Sequence, residues 1–170
     1  ELGIPLQISN GKSTATLRSI TPNGEPMYDQ PDNINSVESI GADSVKAGGG
    51  LGLALTGAGQ TLGVWEAFET AGNAAVRTTH QEFGGRATLV DAGGFSDHAT
   101  HVAGTMIAAG IQANAEGFST GADLLCYDIS NDVAEMDAAA QASPPVRISN
   151  HSYGTRTGWS WNRVTMQWDW

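Results

Sequence analysis

The segment Thr61–Glu66, TLGVWE, is an apolar run of strand length that closes on a carboxylate, and it predicts a buried strand. From residue 98 to about 109, small residues recur at helical spacing, with Ser96 or Asp97 placed to cap the free amides at the start. Within this helix, Gly104 is expected to let the backbone lie close against a sheet. Residues 123–129 (DLLCYDI) predict a second strand, 132–142 (DVAEMDAAAQA) a helix behind the cap candidates Ser130 and Asn131, and 146–152 a third strand. Residues 1–50 are rich in polar and turn-forming residues, and one short helix is predicted over 33–45 through Ile34, Val37 and Ile40. Strand, helix, strand, helix, strand predicts an α/β fold, a parallel sheet with helices on both faces whose ligands gather at the carboxyl ends of the strands. Glu66, Asp128 and Ser152 fall near such ends.

Composition narrows what such a sheet could serve. The 170 residues suffice for one domain with its own core. A 15% charged fraction with 22 glycines and 40% hydrophobic residues fits a loop-rich folded chain better than a disordered one. Eighteen acidic against eight basic residues give a net charge of −10, which repels a phosphate backbone and argues against nucleic acid as partner. Cys126 is the only cysteine, so no intrachain disulfide forms. No apolar run approaches the roughly 20 residues that span a bilayer, so no membrane partner is expected. The chain opens on Glu1 and closes on a tryptophan-rich run, GWSWNRVTMQWDW, which reads as a piece of a longer protein.

Residues 94–108, GFSDHATHVAGTMIA, place His98 and His101 one helical turn apart among small residues. HATHVAGT is similar to the HGTHVAGT histidine signature of subtilisin-like serine proteases. TLGVWE resembles that family's strand ending in the triad acid, VRTTHQEFGGR (76–86) the segment between the two motifs, and NHSYG (150–154) the strand that pairs with bound substrate. These segments cover most of residues 51–154, in the family's order of acid, histidine and then serine.

The resemblance implies a subtilisin-like parallel sheet, incomplete in this chain, with residues 1–50 as a lead-in and 51–170 as the amino-terminal portion of the catalytic domain. It implies His98 as the base, Glu66 as the acid, and Ser152 and Gly154 as contacts for a peptide or protein substrate. It also implies secretion. No cofactor is expected, and no metal at the histidine pair, because no further Cys, His or HExxH pattern completes a ligand set. The chemistry is that of an activated serine: the hydroxyl needs an imidazole to take its proton, and a carboxylate fixes the imidazole's tautomer. His101 is expected to be a packed core histidine, because nothing completes a metal-ligand set around the pair.

Several positions depart from the family pattern. Glu66 replaces aspartate, lengthening the reach by roughly 1.5 Å, where a misplacement near 1 Å costs on the order of a hundredfold in rate. Residues 67–74 (AFETAGNA) read as an insertion, and Ala99 replaces a glycine beside the base. Asp91 and Asp97 are weaker candidates for the acid, since neither ends the apolar strand. No segment resembles GTSMA, which carries the family's serine, so that residue is expected from a downstream segment or a second chain. GFSTG (117–121) has the letters of a nucleophile elbow but precedes a strand, leaving Ser119 a loop residue. Gly57, Gly59 and Gly63 also precede a strand, which argues against a dinucleotide site. Asn150-His151-Ser152 matches a glycosylation sequon but is expected to be buried. The alternative to a protease is a catalytically impaired, protease-like protein that binds or scaffolds peptides.

Overall fold

A computed structural model of the chain describes residues 3–9, 14–29, 33–69, 72–91, 93–154, 160–162 and 165–169. It begins with an antiparallel meander, β1 (Gln7–Ser9), β2 (Thr14–Ile20) and β3 (Pro26–Asp29). The turn between β2 and β3 is closed by Thr21 N–H donating to Glu25 O at 2.8 Å, with Gly24 at φ +86°. This sheet was not predicted, and burial shows why: Ile8, Ile20 and Met27 are exposed, so the described side chains of its strands show no buried apolar face that would make a strand legible. The helix predicted over 33–45 is shorter. α1 (Asn33–Ser39) stops before Gly41, whose φ of +71° breaks the helix, and a 3₁₀ turn covers Ala42–Val45. Of its expected anchors, Val37 is buried and Ile40 is exposed.

The remaining elements are β4 (Thr61–Glu66), β5 (Asn73–Ala75), β6 (Ala87–Leu89), β7 (Gly94–Phe95), α2 (Asp97–Ile107), β8 (Asp123–Asp128), α3 (Asp132–Gln141), β9 (Ile148–His151), β10 (Ser160–Asn162) and β11 (Gln167–Asp169). The central sheet has the order β6-β8-β4-β9, every pair parallel. β8–α3–β9 is the predicted strand–helix–strand unit, but its two strands lie on either side of β4. β5 pairs with β7 in parallel, and β10 with β11 antiparallel.

Successive side chains of a strand point to opposite faces, so β4 sorts its residues by parity. Leu62 and Val64, with Leu124 and Cys126 of β8, share one core with Ala99, Ala103 and Ile107 of α2. Trp65, with Tyr127 of β8, shares the other with Ala139 of α3 and Val146. The sheet is therefore covered by α2 on one face and α3 on the other, the α/β architecture predicted. Trp65 stacks on Tyr127 at 4.2 Å between ring centroids, and on His151 at 5.3 Å. A methyl group at Gly63 would overlap the Trp65 ring, so the glycine leaves room for it.

Candidate active site

Parity also decides where Glu66 goes. As the last residue of β4 it shares the α2 face with Leu62 and Val64, and its side chain is completely buried. Neither carboxylate oxygen has a well-aligned hydrogen-bond donor among the described residues. Its ion-pair contact is His98 on α2, with Nδ1 2.9 Å from Oε2. Burial pushes the Glu66 carboxyl above its ordinary 4.5, and the charge and contact of His98 offset part of that rise. Because an ionised carboxylate only accepts, the proton of a neutral His98 belongs on Nδ1, which leaves the Nε2 lone pair free.

His98 is set by the start of α2. Ser96 is the cap: its Oγ accepts from Ala99 N–H at 3.0 Å, while Asp97 is the first helical residue. Ala99, Ala103 and Ile107 recur every four residues and are buried in the core, so the imidazole, one position away, is half exposed. The methyl group of Ala99 thus packs under the helix. His101 is exposed, which corrects its expected place in the core: it lies on the outward side of a helix whose buried stripe is 99, 103 and 107.

The far end of α2 is held by the chain around it. Arg86 donates to the carbonyls of Ile107 at 2.7 Å, Glu82 at 3.0 Å and Ala122 at 3.0 Å. The amides of Gly117, Phe118 and Ser119 donate to the carbonyls of Ala108, Thr105 and Met106. GFSTG therefore serves as a backbone cap, and a Cβ at Gly117 would lie 2.7 Å from Gly104 O and 2.5 Å from Ala108 N. The close approach to the sheet expected at Gly104 is not made, since a Cβ there would meet nothing within 4 Å; the tight contact is instead that of the loop residue Gly117 with the end of α2.

The other candidates lie as follows. Asp91 accepts from Asp128 N–H at 2.8 Å, a backbone-bracing role. Ser152 and Gly154 follow β9 at its carboxyl end and are exposed. The sequon expected to be buried is open: Asn150 is half-buried and donates from Nδ2 to Ser152 Oγ at 2.7 Å. Among the described residues β9 pairs only with β4, leaving its outer edge without a strand. Alternate β9 positions join Ser149 Oγ to His151 Nε2 at 2.9 Å, and His151 Nδ1 to the Tyr153 hydroxyl at 3.0 Å, which donates to Asp132. Sequence reasoning missed Glu69, whose carboxylate meets the start of α2; a lone acid within an apparent insertion carries no periodic or motif signal.

The family model described as the Subtilase family matches residues 25–169, starting inside the segment read as a lead-in. No curated protein and no solved structure matched the chain. With a match over well more than half of its length, the chain belongs to the subtilase family and is serine-protease-like in function.

Proposed function

We propose that this chain supplies the acid and base of a serine endopeptidase, Glu66 and His98, while the nucleophilic serine comes from a downstream segment or a second chain. The observation that carries this reading is the 2.9 Å contact between His98 Nδ1 and the buried Glu66 carboxylate. An imidazole so oriented presents Nε2 to accept the serine proton as the hydroxyl attacks the peptide carbonyl, and later returns that proton to the leaving amine. Glu66 stabilises the imidazolium formed in between. The substrate is an extended peptide laid along the free edge of β9, its backbone meeting the chain near Ser152 and Gly154. Secretion belongs to the same reading.

The test is fluorophosphonate labelling of the complete protein at neutral pH, with the modified residue located by mass spectrometry. Labelling of a serine outside these 170 residues, lost in His98→Ala, supports the proposal. Labelling of Ser149, or none at all, overturns it; peptide binding without labelling supports the impaired, peptide-binding alternative.

A further inference from the structure

Both ends of residue 98 are met by carboxylates from one short stretch of chain. The ring meets Glu66 at the end of β4. Three residues on, Glu69 Oε2 accepts from Ser96 Oγ at 2.7 Å, from Asp97 N–H at 3.1 Å and, at the long limit of 3.5 Å, from His98 N–H. The Ser96 hydroxyl donates to Glu69 and accepts from Ala99 N–H, so one carboxylate and one buried hydroxyl satisfy the amides of 97, 98 and 99. Ser96 N–H is tied to Ala75 O at 2.9 Å, and Glu69 N–H to Asn73 O at 2.9 Å.

We infer that Glu69 is a positioning residue: it anchors the first turn of α2 so that the His98 imidazole stays in contact with Glu66. The inference deepens the protease reading and rests on it only for its consequence in catalysis. A helix start is where backbone frays first, and the His98 ring is half exposed, so its position depends on the turn that carries it. A carboxylate at this end also complements the positive pole of the helix. Hydrogen bonding from Ser96, first, and from the amides of His98 and Asp97 holds the Glu69 carboxyl below its ordinary range, so the anchor is ionised at neutral pH. The stretch that looks like an insertion thus brings the second carboxylate to the helix.

The experiment compares Glu69→Ala, Glu69→Gln and Ser96→Ala with the parent chain. It follows the Glu66 carboxyl by ¹³C NMR titration and the exchange of the Asp97 and His98 amides. Both Glu69 variants remove the same negative charge, and that loss alone would lower the Glu66 midpoint. Loss of the anchor acts in the opposite direction, because His98 no longer holds the Glu66 proton off. The expected result is a Glu66 midpoint higher in Glu69→Ala than in Glu69→Gln by on the order of 1 unit. Faster exchange at residues 97 and 98 should accompany it, with Ser96→Ala in between and Gln, which keeps an acceptor, close to the parent. In the complete protease, Glu69→Ala lowers kcat about 10- to 100-fold with KM little changed. Equal Glu66 midpoints and unchanged exchange in Glu69→Ala and Glu69→Gln would overturn the inference. If Glu69→Ala fails to fold, the Gln and Ser96 variants decide it against the parent. The titration is read without turnover, so an inactive protease leaves this result intact.

Discussion

Replacing His98 by alanine isolates what the imidazole does for the buried carboxylate. In the parent chain Glu66 is fully buried, and burial raises its pKa above 4.5, against which His98 acts by charge and by contact. Without the imidazole only burial remains, and the Glu66 midpoint rises further. An opposite charge within hydrogen-bond distance is worth about 1–3 units. The His98 side chain is 49% exposed, so solvent screening places the expected rise toward the lower end of that general range.

The consequence for stability has a definite sign. A carboxyl whose folded pKa lies above its unfolded value binds its proton more tightly when folded. Its contribution is fully present below the unfolded value near 4.5 and is lost as pH rises through the folded value. The parent chain therefore loses some stability as pH climbs from about 4.5 through the Glu66 midpoint, and His98→Ala loses more, over a window extended further upward. The assay pairs a ¹³C titration of the Glu66 carboxyl with urea unfolding at pH 5 and pH 8. A Glu66 midpoint that stays put in His98→Ala, or a stability gap between the two pH values no larger than in the parent, refutes the coupling.

Three further outcomes are expected. Ile107→Ala, at a fully buried position beneath the last turn of α2, should cost about 2–5 kcal/mol by urea unfolding. Cys126 is buried and its thiol is pushed up to about 12 by desolvation, so iodoacetamide at pH 8 should modify it only at the rate of unfolding, and rapid modification of the folded chain would contradict its burial. Burial raises the Glu82 carboxyl, but the amides of Gln112, Ile111 and Gly110 outweigh it and hold the group below 4.5. Its contribution is therefore present above pH 4.5 and lost as pH falls through the folded value, and Glu82→Gln should flatten the acid limb of the stability curve.

What the sequence disclosed follows from where burial writes a pattern. β4 is buried on both faces, so its continuous apolar run marks both strand and end, and Glu66 was legible as the residue that breaks it. α2 was legible from its small residues and its cap. The β1–β3 meander and Glu69 were not, because exposed strands and a single acid in a loop leave no periodicity to read. His101 was misplaced for a related reason: its spacing from His98 is correct, but only the buried stripe of 99, 103 and 107 tells which side of the helix both occupy.

The structure also recasts the substitution of glutamate for aspartate. A longer side chain is a fault only if the helix stands where an aspartate would meet it, and here the carboxylate of Glu66 reaches the ring at contact distance. Ala99 and Ala103 of α2 pack in one core with Leu62 and Val64 of β4, and the helix is anchored at both ends. The Glu69 carboxylate, through the Ser96 hydroxyl and the amides beside it, meets the amino end with negative charge, and the Arg86 guanidinium meets the carboxyl end at Ile107 O, each complementing the helix dipole at its own pole. With α2 anchored at both ends, the Glu66 carboxylate at the end of β4 comes within 2.9 Å of the His98 imidazole.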